Sequence, residues 1–294
     1  MIGGTSIETD EIEKIILHFA SEIQKQIPSH LERKKKRVIV LSGPTCCGKS
    51  QLAMELAQAM DGEIISADSM QVYRGMDIGT AKVSLEDRLL IPHHLIDIRD
   101  ITESFNVVDF YYEAGRACQQ ILDQGHVPIV VGGSGFYLHT LLYGPPSGPP
   151  SVPELRKSLE EEMTRLGSEA LYARVSELDP QYAKTITKND KQKIVRALEI
   201  MALTHTKVSK ISWRERRGIQ NYDFHCWFLH RPKPKLYERI DRRCEYMLQQ
   251  GFLDEVRILE EKGIATNSSA SQAIGYRQAL DYLHTSQSRP SFGK

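Results

Sequence analysis

Gly43-Pro44-Thr45-Cys46-Cys47-Gly48-Lys49-Ser50 has the spacing G-x-x-x-x-G-K-[ST], the pattern of a phosphate-binding P-loop. Its glycines let the backbone turn tightly enough for several N–H groups to converge on one anion, and a helix starting at the turn adds the positive end of its dipole. Lys49 supplies a mobile cation for the terminal phosphate oxygens, and the Ser50 hydroxyl is a ligand for Mg²⁺. A second reactive group, Asp68, comes with Ser69 and Gln71 at the end of residues 63–69, which read as a second strand. In an open α/β sheet the C-terminal strand ends face the ligand crevice, so Asp68 and the phosphate loop should share one cleft. The apolar segment 127–131 runs into Gly132-Gly133-Ser134-Gly135, where a kinase would often place an Asp to hold its metal. With no acid there, the bound phosphates need not belong to a nucleoside triphosphate. The P-loop alone leaves nucleotide binding, ATP included, open.

These groups need a scaffold, and the chain supplies its signals. Residues 38–41 are a continuous apolar run that reads as a buried strand, and Leu52, Ala53, Leu56, Ala59 and Met60 keep helical spacing after the loop. Residues 107–124 read as a helix stopped by Gly125, and 127–131 as the next strand, which makes a βαβ unit and a parallel sheet. Residues 9–26 carry an amphipathic helical pattern, and the basic run 33–37 reads as a connector into the first strand. The proline-dense stretch 143–153 is the clearest boundary, because neither helix nor strand tolerates it. Short helices follow at 154–166, 168–178 and 190–203, with Ser168 and Asn189 or Asp190 as caps. Residues 226–229 read as another buried strand, and 236–251 and 254–262 as helices stopped by glycine. The fold class is therefore α/β: a P-loop NTPase-like parallel sheet flanked by helices, with an all-α insertion. The parts are an N-terminal helical extension and basic connector (1–37), the first part of the core (38–145), the helical insertion (146–218) and the return to the core (219–294).

Composition narrows the class further. The 294 residues carry 38 Lys plus Arg and 38 Asp plus Glu, so any nucleic-acid binding must come from local patches rather than a global field. Five cysteines without paired C-x-x-C spacing argue against a disulfide framework or a zinc site and point to a reducing cytoplasm. No stretch reaches transmembrane length and the first residues lack a signal peptide. His93, His94 and Asp97 crowd one short segment and cannot easily wrap an ion, so they read as polar packing residues.

Four segments together, GPTCCGKS at 43–50, IISADSMQVYRGMDIGTAK at 64–82, PHHLID at 92–97 and VGGSGFY at 131–137, resemble the tRNA dimethylallyltransferase (isopentenyltransferase) family in order and spacing. The likeness runs from about residue 38 to about residue 283, and the 68–82 stretch is its most specific part. It implies transfer of a dimethylallyl group from its diphosphate to N6 of adenosine 37 beside the tRNA anticodon, with release of diphosphate. Asp68 becomes the general base, and Thr45 and Lys49 join it as catalytic residues. Gly43 to Ser50 hold the diphosphate, with Mg²⁺ on Ser50. The tRNA contacts implied are Asp68, Ser69, Met70, Gln71, Ser134, Arg156, Gln192, Lys193, Arg196 and Arg277. Lys193 stands where the family usually has Arg and loses the planar fork, which makes Arg196 the preferred phosphate contact of the insertion. The resemblance further implies a monomer that binds the anticodon stem-loop and dimethylallyl diphosphate, with no membrane partner. Family members usually continue into a basic helix that has no counterpart after Tyr282, which suggests truncation.

Three other readings stay open on the residues: a P-loop small-molecule kinase, an enzyme that prenylates free AMP or ADP, and a tRNA-binding protein with a vestigial site. Cys46 and Cys47 replace the small residues common in this loop, and a helix N-terminus favours thiolate there, so thiol alkylation should inhibit and prenyl diphosphate should protect.

Overall fold

In the computed structural model the described residues are 36–146, 148–211 and 222–287, together with His18, Ser21 and Glu22. Most of the N-terminal helix expected at 9–26 lies outside them, as do residues 33–35 of the basic run. Lys36 and Arg37 of that run already belong to the first strand, and Lys36 Nζ donates to Gln119 at 2.7 Å rather than ending in solvent.

In chain order the elements are β1 (Lys36–Ser42), α1 (Lys49–Met60), β2 (Gly62–Ser66), α2 (Leu85–Leu90), β3 (His93–His94), α3 (Val107–Asp123), β4 (Val127–Gly132) and α4 (Gly135–Tyr143). Then come α5 (Pro153–Leu178), α6 (Pro180–Ala183), α7 (Lys191–Thr204), β5 (Tyr222–Phe228), α8 (Lys233–Gln249), α9 (Phe252–Glu261) and α10 (Tyr276–Gln287). They form two compact units, one of Met1–Gly144 with Gly218–Lys294 and the other of Pro145–Arg217.

The first unit is built on a five-stranded parallel sheet of order β3-β2-β4-β1-β5. Alternation along β1 assigns its two faces. Ile39 and Leu41 pack with Leu52, Ala53, Leu56 and Ala57 of α1, whereas Val38 and Val40 share a cluster with Phe110, Ala114, Cys118 and Ile121 of α3. A sheet covered on both faces needs apolar residues at every position, which is why 38–41 is a continuous run. Asn106 caps α3 by accepting from Val108 N and Asp109 N while the Asp109 carboxylate accepts from Asn106 N, and Gly125, at φ 89°, ends it.

Two strands differ from the sequence reading. The segment expected as a buried strand at 226–229 is the edge strand β5, which begins at Tyr222 and alternates in exposure, leaving Phe228 68 % exposed. His93 and His94, expected as loop packing, form β3 and pair with Ile64 and Ile65. Two residues carry no periodicity, so no pattern announced this strand.

The second unit packs Leu159, Met163, Leu171 and Val175 of α5 against Ile194, Val195 and Leu198 of α7. The range of α5 holds the two helices expected at 154–166 and 168–178, separated by Gly167, whose φ of 85° and ψ of 162° are non-helical. Asp190 occupies the cap position of α7, but its carboxylate accepts from Thr187 N and Oγ1 instead of capping the helix.

A hydrogen-bonded triad joins β2, β3 and the entry to β4. The buried Glu63 carboxylate pairs with His94 Nε2 and His126 Nδ1, each at 2.6 Å. Burial alone would raise the Glu63 carboxyl, but the hydrogen bonds to His94 and His126 outweigh it and hold it below 4.5. The same contact with Glu63 raises His126 above 6.5. Glu63 therefore stabilises fully above pH 4.5 and less as pH falls through its lowered folded value, while His126 stabilises fully below pH 6.5 and less as pH rises through its raised one. The triad is expected to contribute most between those two values. Urea midpoints recorded across pH should show Glu63→Gln flattening both shoulders; a profile parallel to that of the parent chain would contradict the coupling.

Candidate active site

The P-loop follows β1 directly. Gly43, at φ 149°, sits so close to β5's end that a Cβ would lie 2.4 Å from Leu229 O, and Gly48 takes φ 107° at the start of α1. Cys46 adopts φ 59°, a left-handed conformation that costs a non-glycine residue roughly 1–3 kcal/mol. Lys49 Nζ folds back over the loop, donating to Gly43 O at 2.9 Å and Pro44 O at 2.7 Å, with Cys47 Sγ at 3.8 Å. These are weak neutral partners that an anion in the loop would displace.

Beside the loop opens a cleft of about 490 Å³ within the first unit. Thr45, Cys46, Gly48, Lys49 and Ser50 form one wall, and Asp68 and Gln71 stand across from them at the end of β2. Asp68 Oδ1 accepts from Met70 N at 2.9 Å and Gln71 N at 3.4 Å, so the carboxylate is fixed by the turn that follows it. Gln71 is held in turn, its Oε1 accepting from Ser66 Oγ at 2.9 Å and its Nε2 donating to Thr80 O at 3.2 Å. Gly132 and Gly133 line the same cleft. A Cβ on Gly132 would lie 2.1 Å from Ala67 O, because Ala67 N donates to Val131 O and draws the two strand ends together. No side chain fits at position 132 itself.

The sequence reading missed the third wall. Arg239, Arg242 and Arg243 reach the cleft from α8, and Arg239 Nε donates to Cys46 O at 3.0 Å. Their spacing places them on one face of a helix, a signal present in the sequence but shared with any solvated cationic helix. With Lys49 they give the cleft four cations against the single carboxylate of Asp68, a field suited to a polyanion. His93 also lines the cleft; burial lowers its pKa, and Nδ1–H donates to Ile91 O at 2.7 Å, so it is neutral with Nε2 as an acceptor.

For Mg²⁺ the donor set is chemically suitable: Ser50, Thr45 and Asp68 offer hard oxygen atoms to the same space. Among the described residues no group of three or more His, Cys, Asp or Glu could hold a metal unaided, so an ion here would take most of its ligands from phosphate and water.

Other residues singled out in the sequence stand apart from the cleft. Gly43, Pro44 and Cys47 shape the loop from behind, and Ser134 Oγ accepts from Ser69 N at 3.3 Å. Met70 packs partly buried against the core, and Arg277 is exposed on α10. Arg156, Gln192, Lys193 and Arg196 belong to the second unit. Arg196, the cation preferred on sequence, donates to Glu199 Oε2 at 2.6 Å and to Pro149 O at 2.5 Å. Lys193 is the more open cation, 59 % exposed, with only Asp190 at 3.4 Å. Arg156 pairs with Glu160 and Gln192.

Comparison with known proteins decides the family. Residues 71–292 match the model of the IPP transferase family, and residues 36–105 match that of isopentenyl transferase. The chain belongs to the IPP transferase family. It is similar to the tRNA dimethylallyltransferase of Protochlamydia amoebophila, 73 % identical over 292 residues that cover 99 % of this chain and 85 % of that protein. The tRNA dimethylallyltransferase of Chlamydia caviae is 56 % identical over 250 residues, 85 % of this chain and 73 % of the relative. A crystal structure of a eukaryotic dimethylallyltransferase acting on tRNA superposes with a TM-score of 0.70 at 32 % identity, over 85 % of this chain and 64 % of that one. The tRNA isopentenylpyrophosphate transferase of Bacillus halodurans gives 0.59 at 36 % identity, over 86 % and 78 %. As an IPP transferase, the chain is an enzyme that transfers a group, with an α/β fold. No helix among the described residues is long and apolar enough to cross a membrane.

Cys46 lines the cleft and is partly exposed, whereas Cys47 is buried behind the loop. Iodoacetamide should therefore label Cys46 well before Cys47, and inorganic diphosphate should slow that labelling severalfold. Peptide mass spectrometry checks this, and equal labelling of both thiols with or without diphosphate would contradict the placement.

Proposed function

We propose that this IPP transferase moves a dimethylallyl group from dimethylallyl diphosphate to N6 of adenosine 37, beside the anticodon of tRNA, and releases diphosphate. One observation carries the reading: a single cleft is lined by the P-loop, three arginines of α8 and the fixed carboxylate of Asp68. The names of the similar proteins, tRNA dimethylallyltransferases, support the substrate pair.

The leaving group is an anion whose charge grows as the C–O bond breaks. Backbone N–H groups of residues 45–50, Lys49 and the α8 arginines are preorganised for that charge, so they stabilise the transition state more than the bound substrate. Ser50 would hold Mg²⁺ together with the phosphate oxygens, and the ion when bound would neutralise part of the same charge. The attacking amine is a weak nucleophile because its lone pair is delocalised into the adenine ring. Asp68 accepts a hydrogen bond from N6 and takes its proton as the new C–N bond forms. The hydrogen bonds that Asp68 Oδ1 accepts from Met70 N and Gln71 N fix the orientation in which the carboxylate meets the amine. Thr45 orients the diphosphate or the amine from the loop wall. To reach the cleft the adenine must leave the anticodon stack, as bases do in enzymes that act on them.

Asp68→Asn should retain the affinity for dimethylallyl diphosphate and tRNA while losing about 10²–10⁴-fold in turnover, the usual contribution of a general base. Lys49→Ala should instead raise KM for the prenyl diphosphate. Transfer of labelled dimethylallyl into tRNA measures both; Asp68→Asn with parental turnover would remove Asp68 as the base, and Lys49→Ala with an unchanged KM would remove the loop as the diphosphate site.

A further inference from the structure

One carboxylate outside the cleft is bonded as if its only purpose were to hold a loop. Glu255, near the start of α9, accepts from Asp77 N at 2.9 Å and Ile78 N at 2.6 Å through Oε2. Its Oε1 accepts from Gly79 N at 3.2 Å and from the Tyr276 hydroxyl at 2.6 Å. Three successive backbone N–H groups gathered on an anion form a nest, and here the anion is a side chain of the same unit. Burial, with the Glu255 charge beside it, pushes the Tyr276 hydroxyl far up, so it stays a donor at all ordinary pH.

The seat beneath the nest is close-fitting. The rings of Phe252 and Tyr276 meet edge to face at 5.1 Å, and a Cβ on Gly79 would lie 2.4 Å from one and 2.6 Å from the other. The far end of the same loop is clamped by Lys82, 2 % exposed, which donates to Tyr73 O at 2.7 Å, Asp77 Oδ1 at 2.7 Å and Asp97 Oδ1 at 2.5 Å. Between the two anchors lie Thr80 and Ala81, which line the cleft. Thr80 O receives the side chain of Gln71, and the backbone N–H of Gln71 donates to Asp68 Oδ1. An unbroken chain of contacts thus runs from Glu255 through the amide of Gly79, the carbonyl of Thr80 and the side chain of Gln71 to Asp68.

We infer that Glu255 is a positioning residue for Asp68, acting through the loop at Gly79 and Thr80 and the side chain of Gln71. It touches neither the cleft nor a substrate, so its loss would be felt as misplacement of the carboxylate. The P-loop wall is reached by other contacts and would keep its diphosphate affinity. The inference rests on Asp68 being the base of the proposed reaction.

Glu255→Gln replaces an acceptor-only group by an amide that cannot receive all four donors. The expected result is a drop in kcat of about tenfold at a KM for dimethylallyl diphosphate that moves by less than about twofold. Tyr276→Phe removes one donor and leaves the nest intact, so it should lose much less. Because Glu255 acts through Gln71, the double variant Glu255→Gln with Gln71→Ala should be no slower than Gln71→Ala alone; losses that multiply would overturn the path. NMR supplies a readout apart from turnover: in Glu255→Gln the side-chain amide protons of Gln71 should shift and exchange faster, and Gln71 signals identical to the parent's would also overturn it. If the parent chain transfers no prenyl group to tRNA, the proposed function fails, while the NMR comparison still decides whether Glu255 holds Gln71.

Discussion

The structure depends on concentrating backbone N–H groups and cations at the end of β1, around a space meant for an anion. A left-handed turn at Cys46 and Gly48, the start of α1 and the folded-back Lys49 all serve that purpose. Part of this arrangement is costly without a ligand: the left-handed Cys46 costs conformational energy and the gathered cations repel one another. The sheet must therefore supply the difference. Its central strands are buried on both faces, and the glycines at 43 and 132 let neighbouring backbones approach to distances that any side chain would prevent.

A cleft that only bound anions would have no need of Asp68, whose charge opposes the field around it. In the proposed reaction the cations would stabilise the leaving group and Asp68 would activate the nucleophile. The carboxylate is kept in place by short links of the chain, from its own turn to Gln71, Ser66 and Thr80. A rigid support of this kind suits a base, because a displacement of about 1 Å at the reacting atoms is enough to cost orders of magnitude in rate.

How much of this was legible in the sequence follows from the range of each interaction. The strand, turn and helix around residues 43–50, the buried run at 38–41 and the helix ending at Gly125 are local patterns, and the structure has them where they were read because backbone conformation and periodicity are local. The edge position of β5 was not legible, since an apolar composition at Cys226 and Trp227 does not say whether a neighbouring strand exists on both sides. β3 was too short to carry a pattern. The α8 arginines went unread because a cationic helix face looks the same whether it meets solvent or a ligand cleft. Glu255 lies 176 residues from Gly79 along the chain, and only the folded unit brings the two together. The bonds of Arg196 to Glu199 and Pro149 were not legible either, because they are tertiary facts.

In the proposed reaction the P-loop serves a departing diphosphate and not a phosphoryl transfer. Dimethylallyl diphosphate labelled with one isotope in its prenyl carbons and another in its phosphorus, incubated with Mg²⁺ and tRNA, separates the two. Prenyl transfer should put carbon label on N6 of the adenine next to the anticodon and phosphorus label in inorganic diphosphate, in equal amounts. Phosphorus label appearing in the RNA, or carbon label appearing only in added AMP, would contradict it.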